Sequence, residues 1–346
     1  WDDANGNLQV DSGEFNPNLP MEEWLGYNGF DPTNPGALVS SSTYDPDLNS
    51  PLLDEVTLSY ERGIGSDIGI SLTAYYKKRH HDVWYRNILL DDTLETLANW
   101  EEGGTLAFPD GSSKPYYNRI QGYKGTYMTN YDKSYQRYLA LQFVFSKKLA
   151  NRWMLEASLS LQDHKAFWDK NEFMGYAMSP GGAWYQVTTD PTNYDFYNEG
   201  VVAPQSGGSG LTDIYVNSRW DLRINGLYQL PGGLNLSAVF LAREGYVIPY
   251  YITYTRPGLA DDNRFFEPGK KLGDDRLPTF WQLNMGLEKT FQISDRTSCT
   301  IYADGYNITN NKMNMAVTAK LGSTATGQAI RILNPGLFQF GVRVNF

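Results

Sequence analysis

The chain of 346 residues contains a single cysteine, Cys299. That excludes a disulfide framework and a cysteine-based zinc site. Long apolar runs are missing as well. The longest are of the kind Ala238-Val239-Phe240-Leu241-Ala242, far short of the roughly 20 residues a membrane-crossing helix needs. Basic charge is scarce: 29 Lys and Arg stand against 39 Asp and Glu, for a net charge of −10. The basic footprint of a nucleic-acid binder is therefore absent. The sequence opens on Trp1 rather than Met and carries no charged-then-apolar segment, so it reads as processed or truncated. Helical periodicity is absent too, which removes Rossmann and helix-bearing barrel folds.

What the chain does have is aromatic residues, glycine and alternation. Aromatics make up 14%, with 25 Tyr and 9 Trp, and Gly numbers 33. Residues 1–52 hold every sign of an irregular, solvated, acidic loop region. Asp2, Asp3, Asp11, Glu14, Glu22, Glu23, Asp31, Asp45 and Asp47 have no Lys or Arg among them, and Pro17, Pro20, Pro32, Pro35, Pro46 and Pro51 punctuate the stretch.

From residue 53 onward a period of two begins. Val56, Leu58 and Tyr60 alternate with Thr57, Ser59 and Glu61. Beyond the turn Gly63-Ile64-Gly65-Ser66-Asp67, Ile68, Ile70, Leu72, Ala74 and Tyr76 alternate with Ser71, Thr73 and Lys77. The same plan recurs at Leu139–Phe145 with Trp153–Leu161, and at Trp220–Tyr228 with Leu234–Phe240. It recurs again at Trp281–Leu287 with Ser298–Asn307, and a final strand carries Phe338, Phe340, Val342, Val344 and Phe346 on one face. About nine strands result.

Alternation alone also fits a soluble β-sandwich or binding module. Three features favour a membrane barrel. The connections run short, long, short, long, as in barrels with tight periplasmic turns and long outer loops. The strands reach the roughly 9–11 residues that cross a bilayer obliquely. Tyr60, Tyr76, Trp153, Trp220, Tyr228 and Trp281 fall near strand ends, where aromatic girdles belong. The reason is physical: hydrocarbon offers no hydrogen bonds, so backbone groups must pair within a closed sheet. The alternating C-terminal strand Phe340, Val342, Val344, Phe346 resembles the assembly signal read by the outer-membrane insertion machinery.

Several pieces resemble TonB-dependent outer-membrane transporters, in particular their Oar-like branch. They are Ser50–Arg62, Ser218-Arg219-Trp220, Gly226–Pro231, Arg243-Glu244-Gly245-Tyr246, Arg276–Leu283, and Asp304-Gly305-Tyr306-Asn307 with Asn310. The resemblance implies an all-β, antiparallel transmembrane β-barrel section, an open fragment of a barrel of about 22 strands. It divides the chain into an acidic extracellular region, 1–52, and barrel strands with long extracellular loops, 53–346. It further implies the C-terminal portion of a receptor that takes up a scarce solute across the outer membrane. Its partners would be membrane lipid, the insertion machinery, an unidentified solute at the loops, and the TonB complex acting through a plug on a missing N-terminal part. A passive or adhesive barrel that binds glycan or peptide through its loops is the alternative.

The sharpest local motif is Asp3–Glu14. Asp3, Asn5, Asn7, Gln9, Asp11 and Glu14 occupy the oxygen-ligand positions of a calcium loop. Leu8 stands where such loops place Gly, so the competing reading is an acidic Asn-Gly turn. A structural calcium ion is the one cofactor the sequence offers. Calcium titration followed by thermal shift tests it, and an intact protein that does not respond has no such site. His80-His81-Asp82, with His164 elsewhere, reads as a solvated rim. Gly63-Ile64-Gly65 reads as a hairpin turn, and Asn307-Ile308-Thr309 as an incidental sequon. Glu22-Glu23 and Glu101-Glu102 are expected in loops with no base-and-orienter set, so no catalytic residues and no enzyme are expected. The Tyr- and Trp-rich loops 84–131 and 167–215 suit either ligand contact or packing on one another.

Overall fold

The computed structural model describes residues 30–31, 34–38, 42–169, 176–178, 184–185, 194–204, 214–255 and 262–346. Its principal element is a nine-stranded antiparallel sheet. The strands are β1 (Leu52–Ile64), β2 (Ile68–His80), β3 (Tyr135–Ala150), β4 (Trp153–Phe167), β5 (Trp220–Leu230), β6 (Leu234–Arg243), β7 (Phe280–Gln292), β8 (Ser298–Tyr306) and β9 (Leu337–Asn345). They are hydrogen-bonded in chain order, the up-and-down meander that the alternation predicts. The sheet is open, with β1 and β9 at its two edges.

All four short connections lie at one end. The tightest is Asn151-Arg152, with φ of 52° and 71°, the left-handed pair that matches the twist of a two-residue hairpin. The connection between β1 and β2 begins after Ile64 and includes Gly65 at φ 64°. The Gly63-Ile64-Gly65 motif is thus a hairpin corner.

One hydrogen-bond row reveals the stagger. It runs Ile64, Ile68, Lys147, Leu155, Gly226, Ala238, Met285, Gly305, Phe338. The row starts beside a short turn, at the last residue of β1, and finishes at the second residue of β9, beside a long connection. Such steady drift is the shear of a barrel wall with tilted strands.

Residues paired across strands share a face, so the register sorts the whole sheet. One face is apolar and uncovered. Val56 is 65% exposed, Leu58 74% and Tyr60 58%. Leu72, Leu139, Leu141, Phe143, Leu287, Ile301, Phe340 and Val342 are exposed on the same side. The other face is polar and bonds to itself. Ser59 meets Thr73 at 3.1 Å, Thr290 meets Thr300 at 2.8 Å, and Tyr75 donates to Gln142 at 3.4 Å.

The long connections depart from expectation. The sequence pattern predicts irregular chain there, yet the first connection forms strands Val83–Leu89, Trp100–Ala107, Ser113–Arg119 and Tyr123–Asn130. Glu101 and Glu102 lie on the second of these rather than in a loop. Strands this short, interrupted by Gly and Pro, leave too few alternations to register as a period. The loop aromatics supply the molecule's buried cores. Trp100 from the first connection packs with Phe196, Tyr197 and Val201 of the second and Val247, Phe266 and Leu272 of the third. Phe196 stacks on Phe266 at 3.9 Å. A second cluster joins Leu106, Phe108 and Tyr116 to Phe265, with Leu321 of the last connection against it. Each fully buried aromatic contributes about 1.5–3 kcal/mol. The described parts of the long connections therefore pack on one another at one end of the sheet.

Candidate functional site

The polar face carries a hollow at its long-connection end. Two hydrogen-bond rows build it. The first is Glu55, Lys77, Tyr138, His164, and the second is Leu53, Arg79, Gln136, Ala166. The hollow has a volume of about 380 Å³ and is lined by Leu53, Lys77, Arg79, Gln136, Tyr138 and His164. That is within the range of small-molecule sites. Lys77 pairs with Glu55 at 3.0 Å, and the Tyr138 ring meets the His164 ring edge-on at 5.5 Å. Arg79 is held from above by Asp82 at 2.6 Å. Burial is the largest influence on the Asp82 carboxyl and raises its pKa against the opposing pull of Arg79. The hollow thus presents two cations, each paired with a carboxylate, together with two aromatic rings and an amide.

His80 and His164 fall on opposite faces, because His80 follows the alternation of Tyr76 and Lys78 while His164 pairs with Tyr138. His80 bonds Asp54 at 3.1 Å and His81 meets Asp132 at 3.2 Å. Among the described residues no three His, Cys, Asp or Glu side chains cluster as a metal site.

Three pieces distant in the sequence meet in a clamp. Glu244 sits at its centre. It accepts from the Arg219 backbone N–H at 2.8 Å and from the Arg219 guanidinium. Arg276 pairs with it at 3.2 Å. Arg276 also donates to the Asn217 carbonyl at 2.9 Å, to Asn217 Oδ1 at 2.9 Å and to the Gly273 carbonyl at 3.0 Å. Ser218 Oγ donates to the Glu244 carbonyl at 2.8 Å, and the Leu277 N–H to the Tyr246 carbonyl at 2.8 Å. The family resemblance falls on Ser218-Arg219-Trp220, Arg243–Tyr246 and Arg276–Pro278 as separate pieces, and nothing in the sequence signals that they meet.

Burial opposes ionisation of Glu244, but its bonds to Arg219 and the charge of Arg276 prevail, and its pKa lies below the ordinary value. A depressed carboxylate pKa contributes stability above the unfolded value of about 4.5, and that stability is lost as pH falls through the lower folded value. Protection against hydrogen exchange at residues 244–246, taken relative to the intrinsic rate at each pH, should therefore hold steady at neutral pH and fall only in acid below the usual Glu range. The Glu244→Gln protein should show no such step.

Asn307 caps the end of β8. It is almost fully buried, with φ 47°. Its Nδ2 donates to the Asn311 and Asn334 carbonyls at 3.1 and 2.8 Å, and its Oδ1 accepts from the Asn311 N–H at 3.0 Å. The sequon is thus occupied by structure. Asn307→Ala should cost about 2–4 kcal/mol, from stranded buried groups and left-handed backbone strain. A urea midpoint close to that of the parent protein would contradict this.

The aromatic set divides between the two ends of the sheet. Trp153 lies directly opposite Tyr228 beside the short turns, and Tyr60 is at the same end. Trp220, Trp281 and Tyr76 lie toward the long connections. Phe340, Val342 and Val344 share the exposed face of β9, with Phe346 just beyond its end. The calcium-loop residues Asp3, Asn5, Asn7, Gln9, Asp11 and Glu14 lie outside the described residues.

No protein-family profile matches the chain, and no curated protein does. Solved structures do. The outer membrane transporter YddB from Escherichia coli is 12% identical with a TM-score of 0.47, over 89% of this chain and 35% of its own. The ferric enterobactin receptor PfeA from Pseudomonas aeruginosa is 13% identical with a TM-score of 0.44, over 86% and 31%. The iron transporter FrpB from Neisseria meningitidis is 6% identical with a TM-score of 0.41, over 88% and 32%. The chain spans about a third of the length of these structures. Scores this low leave its function to be read from its own geometry.

Proposed function

We propose that this chain is the C-terminal barrel wall of a TonB-dependent outer-membrane receptor of the Oar-like kind, taking up a scarce solute. One observation carries the reading: the sheet leaves an entire apolar face uncovered while its opposite face is polar. Water-soluble monomers rarely expose contiguous apolar patches beyond a few hundred Å². Fatty acyl chains are the solvent such a wall fits, and the barrel-like stagger of the strands supports the same environment. The polar face then lines the lumen, where Lys77, Arg79, Tyr138 and His164 meet solute entering from the loop side. The buried loop aromatics speak against an adhesive surface, since Trp84, Trp100, Tyr116 and Tyr131 are committed to packing. Energy coupling through TonB requires a plug, and a plug sequence upstream in the same gene is the discriminating observation against a passive barrel.

The wall reading is tested by neighbouring substitutions in the intact protein. Phe143 and Gln142 are adjacent in the middle of β3 and face opposite ways. Phe143→Arg should cost about 2–4 kcal/mol in a bilayer and deplete the protein from the outer-membrane fraction. Gln142→Arg should insert normally. Equal behaviour of the two, with a folded product soluble without detergent, overturns the reading.

A further inference from the structure

On the apolar face, three basic residues stand in one hydrogen-bond row. Arg137 of β3 is opposite Lys78 of β2 on one side and opposite Lys165 of β4 on the other. Like charges directly opposite one another destabilise a sheet, so this row calls for anions. Among the described residues two acids stand near it. Asp163, one row toward the short turns, bonds Arg137 at 3.1 Å and reaches Lys165 at 3.7 Å. Asp54 is opposite Lys78 but bonds His80 at 3.1 Å. Two stacked rings, Tyr135 and Phe167, brace the cations, with Lys78 5.0 Å from one ring and Arg137 5.2 Å from the other.

Below this row lies an apolar groove of about 580 Å³. Val56, Leu58, Ala74, Leu139, Leu141 and Leu161 form its apolar lining, and Asp163 and Arg219 also border it. Ala74 makes the depression, because its neighbours on the same face, Leu72 and Tyr76, are large. A cationic row directly above an apolar groove is complementary to one kind of molecule, an amphiphile with an anionic head. Basic side chains at the rim of a membrane-embedded surface are suited to lipid phosphates.

We propose that this wall of β2, β3 and β4 is a binding site for a phosphate-bearing acyl lipid of the outer leaflet. The phosphate sits on Lys78, Arg137 and Lys165, and an acyl chain fills the groove. The inference rests on the membrane reading of the wall and adds to it a specific partner at a specific place.

The test uses the intact protein in phosphatidylcholine nanodiscs doped with lipid A or with dephosphorylated lipid A, and retained lipid is read by native mass spectrometry. The wild type should retain the phosphorylated form about tenfold better, a difference near 1.4 kcal/mol. The triple substitution Lys78→Gln, Arg137→Gln, Lys165→Gln should abolish that preference. Ala74→Trp, which fills the groove and leaves the row intact, should weaken retention of the phosphorylated lipid. Excess inorganic phosphate should not displace it. Equal retention of both lipids, or an unchanged preference in the triple variant, overturns the proposal. So does displacement by inorganic phosphate, which would mark a bare anion site. A wild-type protein that fails to enter nanodiscs of any composition refutes the membrane reading itself and is distinguished by co-elution.

Discussion

Gly245→Ala is expected to be among the most damaging single substitutions in the chain. A Cβ built at Gly245 overlaps the carbonyl carbon and oxygen of Leu277 and comes within 2.7 Å of the Pro278 carbonyl oxygen. Every obstacle is backbone, so no side-chain rotation relieves it. The segment 276–278 has to move away from 244–246, and that breaks the Arg276 bonds to Asn217 and Glu244 together. Overpacking in a tight site costs about 1–3 kcal/mol, and loss of a buried ion-pair network raises the total to about 4–5 kcal/mol. Gly63→Ala is the comparison. Its built Cβ meets nothing nearer than 4.0 Å, and that protein should melt within a degree or two of the parent. Heat-modified migration on a gel reads both. A Gly245→Ala protein as stable as Gly63→Ala would show that the clamp does not bear on the fold.

The second large effect is expected at Glu95. Its side chain is fully buried. The carboxylate pairs with the Arg119 guanidinium and accepts from Asn87 Nδ2 at 2.6 Å. Its backbone carbonyl takes a bond from Arg86 at 3.0 Å. Arg119 lies 4.9 Å from the rings of both Trp100 and Tyr123, so it has little freedom to seek water. Glu95→Ala leaves that cation without its partner, at about 3–5 kcal/mol. Glu95→Gln keeps hydrogen-bonding capacity and should cost less. The damage should be local: limited proteolysis should cut within 83–130 while the nine-stranded sheet remains protected. Unchanged cleavage kinetics in Glu95→Ala would contradict this assignment.

The wall strands are legible in the sequence because each lies between two unlike environments. Val56, Leu58 and Tyr60 against Thr57, Ser59 and Glu61 record that contrast residue by residue. Strand number, order and direction follow from that contrast and from the lengths of the connections. The strands within the loops are not legible. Trp100–Ala107 and Ser113–Arg119 are short and pair only with each other, and the cores they join are completed by remote segments. Glu95 reads as one acid among many in a polar stretch until Asn87 and Arg119 are placed around it. The clamp is half visible, since its three pieces stand out singly but only the strand register brings them together. The same holds for Lys78, Arg137 and Lys165, which are ordinary basic residues in the sequence and a single line in the sheet.

The shared cores of the long connections bear on how this protein changes over generations. Phe196 stacks on Phe266, and Phe265 packs with Leu106 and Tyr116, so neighbouring connections share interior surface. Transplanting one connection from a homologue would leave unmatched surfaces in the other three. New recognition properties are therefore expected to arise by exchange of the whole crown at once, or by substitutions confined to its rim.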